Sequence, residues 1–360
     1  MQFLKIVKAR ARGWGCVMLS LVALAGASCV VAQTPAPVAG GAPGVVAQNE
    51  AQQAGRGVTD WLMRMHEASR RRAYIGIFVV SSGSNMSSAK IWHVCDGEHQ
   101  MERVESLSGA PRSTFRHDDQ VITFLPGSKQ AVAEQRESLG LFPDLLKSTD
   151  SSIAQFYAAQ PSGQDRVAGF DADVVELQPK DKLRYGYRVW TEKKSGLVVK
   201  LQTLDTEGRV LEQSAFSELQ LDAPVSMSKL SQMMGNTDGY KVEKPELVKT
   251  TAVAQGWVLK NPVAGFKAMS CYKRPAVASE GSTPKNTMQW VFSDGLASIS
   301  LFVEVFDSHR HLQEGLMTLG ATQTFARRVG DWWVTVVGEA PAQTLTAFAQ
   351  GLERKKTPPN

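Results

Sequence analysis

The stretch from Lys182 to Leu221 limits what this chain can fold into more than any other. It holds three runs rich in Tyr, Val, Leu and Trp, separated by Lys193-Lys194-Ser195-Gly196 and by Asp205-Thr206-Glu207-Gly208. Each break is charged or polar and ends in Gly, which takes the positive φ of a tight turn at least cost. Apolar and polar residues alternate along Tyr185–Trp190 and along Val199–Gln202, the pattern of strands with one face packed and one face wet. The stretch predicts a three-stranded antiparallel meander. No catalytic residue type is concentrated in it, so it reads as a binding surface and not as an active site.

The N-terminus accounts for most of the charge. The chain of 360 residues has a formal net charge of +5, but Lys5, Lys8, Arg10 and Arg12 all fall in the first 32 residues, which contain no acid. Removing those four leaves +1, too little for a nucleic-acid footprint. The basic start, the apolar run Cys16–Ala25 and the small residues ending Val30-Val31-Ala32 read as a secretory signal peptide cleaved after Ala32. The apolar run is short against the roughly 20 residues of a membrane span. A lipoprotein signal would use Cys29, but Gly26 stands where such signals want Leu. Residues 33 to 55 are a flexible leader of Ala, Pro, Gly and Gln. Once the signal is removed, Cys95 and Cys271 remain. They either pair in an oxidising compartment or stay as two buried thiols.

From Thr59 or Asp60 an amphipathic helix is expected, with Trp61, Leu62, Met65 and Ala68 inward and Arg70, Arg71 and Arg72 at its end. From Tyr74 to Glu134 turn signals recur about every 10 residues, the spacing of an antiparallel sandwich or barrel. Two short helices are expected at Leu139–Leu146 and Ser151–Ala159, and strands resume from Asp165. Residues 222 to 250 lose all periodicity and hold two Pro and two Gly, which reads as an interdomain linker. The remainder, 251 to 353, reads as a smaller α+β unit. Its strands are expected at Phe266–Tyr272, Met288–Phe292, Ala297–Phe306 and Trp332–Gly338, before a last helix bearing Leu345, Phe348, Ala349 and Leu352. Residues 354 to 360 form a tail.

The chain offers no catalytic constellation. It lacks G-x-S-x-G, H-E-x-x-H, P-loop and C-x-x-C patterns. Ser-x-x-Lys occurs at Ser87/Lys90, Ser226/Lys229 and Ser270/Lys273, without the partners such a site needs. His309-x-His311 has no acid or thiol beside it in sequence and reads as a solvated loop, and no metal site or cofactor is implied. His93 beside Trp92 reads as a packed strand residue. Binding fares better than catalysis. An open antiparallel barrel leaves a concave apolar face, and Trp92, Phe115, Phe124, Tyr187 and Trp190 are the candidates for lining it and accepting an acyl chain. The competing assignment makes the same five residues ordinary core beneath the helices.

Several motifs resemble the MucB/RseB family. They are Tyr74-x-Gly76-x-Phe78-Val79, Glu105-Ser106-Leu107-x-Gly109-x-Pro111-Arg112, Arg188 to Leu197, Asp205 to Gln213, Phe292 to Glu304 and Val334 to Glu339. The resemblance covers about 56 to 353. It implies an α+β protein in which a large N-terminal open antiparallel barrel, similar to the LolA and LolB carriers and wrapped on helices, spans 56–221. A smaller C-terminal antiparallel sheet with helices follows. It also implies a periplasmic protein that binds the periplasmic segment of an RseA/MucA-type anti-sigma factor and shields it from the site-1 protease. Lipopolysaccharide or another acyl-chain ligand would release it. On this reading the protein touches the membrane only through its partner, and a homo-oligomer is compatible with it. The alternative is a LolA-like lipoprotein or lipid carrier, which has no use for residues 251 to 353.

Overall fold

A computed structural model describes residues 57–135, 152–275 and 286–355. The signal peptide, the leader, the expected helix at 139–146 and the last five residues lie outside them. Helix α1 (Val58–Arg71) buries Trp61, Leu62, Met65 and Ala68 as the spacing predicts. Asp60 serves its N-terminus from inside the first turn, accepting from the Gly57 N–H at 3.0 Å.

Eleven strands then follow: β1 (Tyr74–Ser82), β2 (Asn85–Cys95), β3 (Gln100–Ser106), β4 (Ser113–His117), β5 (Gln120–Leu125), β6 (Gln130–Gln135), β7 (Tyr157–Val167), β8 (Phe170–Pro179), β9 (Gly186–Glu192), β10 (Val198–Leu204) and β11 (Val210–Leu221). The expected meander is β9-β10-β11, antiparallel throughout. It joins β8 on one side and β1 on the other, in the order β12 (Lys241–Glu243), β6-β5-β4-β3-β2-β1-β11-β10-β9-β8-β7. Among the described residues the terminal strands of this order do not pair with each other, so the sheet is open. Unlike a half-wet strand, β9 is buried at every position except Arg188, because it lies well inside the sheet and is covered on both faces.

Two expectations change between the sheets. The helix expected at Ser151–Ala159 is only the single turn α2 (Ile153–Phe156), and Tyr157 already opens β7. Pairing with β8, such as Ala159 opposite Leu177, outweighs the weak helical pattern of so short a segment. Residues 222 to 250 are not structureless. They contain α3 (Met227–Gly235), capped by the Ser226 hydroxyl, then β12 (Lys241–Glu243) and β13 (Val248–Lys249). Strand β12 pairs in parallel with β6, and β13 adds to the second sheet.

The second sheet runs β13-β15-β16-β17-β20-β19-β18. Its further strands are β15 (Lys267–Pro275), β16 (Asn286–Ser293), β17 (Ser298–Val305), β18 (Gly315–Leu319), β19 (Thr322–Val329) and β20 (Trp332–Gly338). Helix α4 (Ala342–Gly351) packs Leu345, Phe348 and Ala349 onto it at zero exposure. The chain closes with β21 (Leu352–Arg354) against β14 (Trp257–Leu259). The architecture is α+β, a large antiparallel sheet with helices followed by a smaller one.

Candidate functional site

Ser226 and His311, both singled out in the sequence, are engaged in structural contacts. Ser226 is occupied as the cap of α3, accepting from the Lys229 N–H at 3.2 Å. His311 is half-buried and stacks on Trp333 with centroids 4.8 Å apart and planes 7° from parallel. Its Nδ1 accepts from the Asp307 N–H at 2.9 Å, and its Nε2 lies 3.2 Å from Glu304. His309 is exposed. The two imidazoles therefore do not converge, and the acid that sequence spacing hid is Glu304.

Register assigns each aromatic candidate to a face. Residues opposite one another in a ladder share a face, and neighbours along a strand alternate. Tyr187, Thr203, Val80, Ile91 and Val104 fall on the inner face, toward α1, whose Arg64 lies 3.6 Å from Asp173. Trp92, Phe115, Phe124 and Trp190 fall on the outer face. The five residues thus do not form one lining. Tyr187 is separated from the other four by the thickness of the sheet. Trp190 sits apart, under the Lys200 ammonium at 4.2 Å and donating its indole N–H to Asp165 at 2.9 Å.

Trp92, Phe115 and Phe124 do come together. With Met101 and Ala131 they form an apolar patch on β2 to β6, roofed by Leu230 and Met234 of α3 and flanked by Met227, Met233 and Tyr240. Phe115 and Phe124 meet edge to face at 5.7 Å, and Tyr240 meets Phe124 at 5.1 Å. Arg103 lies 4.7 Å over the Trp92 ring. Sequence reasoning missed Leu230 and Met234. The signal was the i, i+4 apolar pair behind an N-cap serine.

Behind this patch, on the inner face, His93 and Glu102 are both buried, with Nδ1 and Oε1 3.2 Å apart. Tyr74 stacks on the imidazole at 4.9 Å. Burial alone would lower the His93 pKa. Hydrogen bonds with Cys95 and Glu102, together with the Glu102 charge, overcome it and raise the value to about 9. Glu102 responds in kind. Burial pushes its carboxyl up, but the bond and charge of His93 and the charge of Arg116 bring it below the ordinary carboxylate range. Cys95 and Cys271 are both free thiols.

A second constellation joins the two lobes. Arg184, at zero exposure, donates from Nε to Asp181 at 2.9 Å, from Nη1 to Asp294 at 2.8 Å and from Nη2 to the Ala264 carbonyl at 2.7 Å. Its guanidinium also lies 4.4 Å over Phe156 and 5.2 Å over Phe266. Asp294 accepts four bonds, from Arg184, from the Tyr157 hydroxyl at 2.9 Å, and from the N–H groups of Leu296 at 2.9 Å and Ala297 at 2.7 Å. Both charges are fully engaged, the condition under which a buried pair is tolerated. The neighbouring Leu183 carbonyl accepts from the Thr344 hydroxyl at 2.7 Å. Two glycines permit the close approach. A Cβ on Gly265 (φ +82) would lie 2.9 Å from Arg184 and Phe156, and one on Gly320 (φ +58) would lie 1.7 Å from the Ser82 hydroxyl. From sequence, Asp294-Gly295 read only as a hairpin turn, and Arg184 carried no signal of burial.

The comparisons fit this two-lobed arrangement. The MucB/RseB N-terminal domain model matches residues 57–234, and the MucB/RseB C-terminal domain model matches 251–353. The sigma factor AlgU regulatory protein MucB of Pseudomonas aeruginosa is 29% identical over 299 residues, 82% of this chain and 90% of that protein. The sigma-E factor regulatory protein RseB of Haemophilus influenzae is 26% identical, covering 81% of this chain and 90% of that protein. Among solved structures, MucB in complex with MucA(peri) superposes with a TM-score of 0.61 at 25% identity, covering 83% of this chain and 99% of the other. The Pseudomonas aeruginosa MucA/MucB complex gives 0.63 at 26% identity with the same coverage. Among the described residues no helix is long and apolar enough to cross a membrane.

Proposed function

The chain belongs to the MucB/RseB family, and from that premise we propose that it is a periplasmic regulatory protein that binds the periplasmic segment of an RseA/MucA-type anti-sigma factor. By covering that segment it shields it from the site-1 protease and so represses the envelope-stress sigma factor, and lipopolysaccharide or another acyl-chain lipid releases it. The observation that carries the reading is the likeness to MucB solved together with MucA, which extends over 99% of that MucB chain. Both lobes of this protein therefore correspond to a chain known in a partner-bound form.

The control is physical and not catalytic. Two ligands that favour different states of one protein weaken each other's binding by linkage. We place the acyl-chain site at the patch of Trp92, Phe115 and Phe124, where an alkyl chain would compete with Leu230 and Met234 of α3. Methionine side chains repack at little cost, and a helix of nine residues held mainly by apolar contacts is a roof that such a ligand can shift. Tyr187, buried behind the lobe junction, and Trp190, engaged by Lys200 and Asp165, lie outside the site so placed.

The test is a titration of the full protein into a labelled synthetic periplasmic segment of its anti-sigma factor, with and without lipopolysaccharide, scored by anisotropy and by protection of the segment from the site-1 protease. Tight binding that lipopolysaccharide weakens is the expected result. Capture of acyl chains without any binding of the segment would overturn the regulatory reading in favour of a lipid or lipoprotein carrier.

A further inference from the structure

At the end of the large sheet that borders the aromatic patch, two hairpin turns bring three metal-binding side chains together. His99 comes from the turn between β2 and β3, His117 is the last residue of β4, and Asp118 opens the turn between β4 and β5. In sequence they are separated by 17 intervening residues between the two imidazoles, which is why no ligand spacing betrays them. The ladder closes that gap, because Met101 lies opposite His117 and Gln100 opposite Cys95. The backbone is cinched at the same place, with the Asp118 N–H donating to the Gln100 carbonyl at 3.1 Å. One donor atom from each of the three residues lies within 4.8 Å of the others.

We propose that His99, His117 and Asp118 form a site for a divalent transition-metal ion, zinc being the ion whose chemistry the donors suit best. Two imidazole nitrogens and one carboxylate oxygen make the three-protein-ligand set that leaves one position to water, and borderline nitrogen donors favour zinc over magnesium or calcium. The site has supporting groups. Asp118 Oδ1 is held by the Gln100 N–H at 2.9 Å, leaving Oδ2 for the ion. The His99 backbone N–H donates to Asp96 Oδ1 at 2.8 Å, which fixes the turn that carries the imidazole.

Without metal, His99 Nδ1 and Asp118 Oδ2 share a hydrogen bond of 2.7 Å. Ligands at tetrahedral angles around zinc stand roughly 3.3 Å apart given bonds of about 2.0–2.2 Å. Binding therefore opens that pair slightly and draws the third donor in. Both side chains are about half exposed at the tips of their hairpins, where such movement meets little packing. The ion replaces a proton-mediated contact with a cross-link between the β2–β3 and β4–β5 hairpins. It would fix the end of strands β3 and β4 beside Met101, which lies at zero exposure beneath α3. This inference does not depend on the regulatory reading.

The test uses tag-free full protein stripped with a chelator, titrated with zinc chloride by calorimetry and by competition against a chromophoric chelator, with magnesium as the control ion. One equivalent of zinc should bind, and magnesium should give no saturable heat. H99Q and H117Q should each weaken zinc by more than the roughly 10–100-fold that loss of an outer contact costs. D118N should weaken it as well while leaving the apo protein folded, as read by far-UV circular dichroism. The chain has six histidines, so the H99Q/H117Q double variant decides the location. Zinc bound equally well by that variant, or no stoichiometric binding by the wild type, would overturn the proposal.

Discussion

The junction between the lobes and the patch under α3 are both buried, yet they are built from opposite materials. At the junction, Arg184 and Asp294 are wrapped in directional bonds, and Tyr157, Asp181 and the Ala264 carbonyl complete them. Under α3 the contacts are apolar and aromatic, with Met101, Met227, Met233 and Met234 among them. Removing one partner from a saturated polar cluster leaves a charge in a dry place. Shifting a methionine-rich roof costs only the apolar area it uncovers. The junction is thus a fixed joint, and the patch is the part of the molecule that can yield to a ligand.

Breaking the joint gives the largest expected effect. Asp294→Ala takes one of two carboxylates from the buried Arg184 guanidinium and should cost about 3 kcal/mol, the low end for loss of one member of a buried pair, because Asp181 and the Ala264 carbonyl stay in place. Urea denaturation followed at separate probes on the two lobes checks it. The transition should both shift down and split, since the cost falls on the contact between lobes. An unshifted single transition would mean that the joint is held by something other than this pair. Replacing both charges by apolar residues, Arg184→Met with Asp294→Leu, should recover much of the loss.

Alkali tests the sheet that carries the patch and spares the joint. His93 titrates near 9 in the folded protein against an ordinary value of 6.5. Its raised folded value means that its stabilisation is complete below about pH 6.5 and is lost as pH rises through about 9. The loss can reach at most about 3 kcal/mol at 1.36 kcal/mol per unit. Glu102, whose pKa is lowered, acts with the opposite sign and weakens the fold only in acid. Thermal melts between pH 6 and pH 10 should therefore fall toward alkali, and His93→Gln should flatten the fall. Cys95, Tyr74 and Arg116 are the other ionisable groups facing this pair, and they remain in that variant.

Loosening the roof comes next. Leu230→Ala should cost about 2 kcal/mol, the low end of the range for such truncations, because a short surface helix can settle into the space left behind. Its more telling signature is local. Binding of a hydrophobic dye and quenching of tryptophan fluorescence should both increase in Leu230→Ala and not in Asp294→Ala. The same outcome in both variants would erase the distinction between the two regions.

The sequence made the yielding region harder to read than the fold around it. The meander declared itself through alternation and through Gly196 and Gly208, and α1 through Trp61, Leu62, Met65 and Ala68. These are local patterns, and the structure keeps them. Helix α3 was hidden because Ser226 to Gly235 offers only Leu230 and Met234 as an inward pair amid Ser, Gln and Lys, and because the surrounding Pro and Gly residues dominate the composition. Strand β18 was missed for a related reason. Leu316, Met317 and Leu319 are exposed on an edge strand, so no alternation marks them. For the aromatic candidates the sequence supplied residue type but not face. Tyr187 and Trp190 are three residues apart, and an odd separation along a strand sends two side chains to opposite sides of the sheet. The Arg184–Asp294 pair, 110 residues apart, lies beyond any local pattern.

The smallest change sharpens the comparison furthest. Tyr157→Phe removes one hydroxyl and nothing else from the joint, taking away one of four bonds to Asp294 while the Arg184 contact stays. Loss of one such bond costs about 1 kcal/mol, more where a buried acceptor is left short. Here the carboxylate keeps three donors, so the figure should stay near that value. The effect should be close to additive with Leu230→Ala, since the two sites share no partner, and non-additive with Asp294→Ala, since they share one. A coupling energy near zero between Tyr157→Phe and Asp294→Ala would mean that the hydroxyl serves the Tyr157 ring packing and not the joint. A sizeable coupling between Tyr157→Phe and Leu230→Ala would show that the fixed joint and the yielding roof communicate through the large sheet. In that case a ligand entering under α3 could be felt at the junction of the lobes.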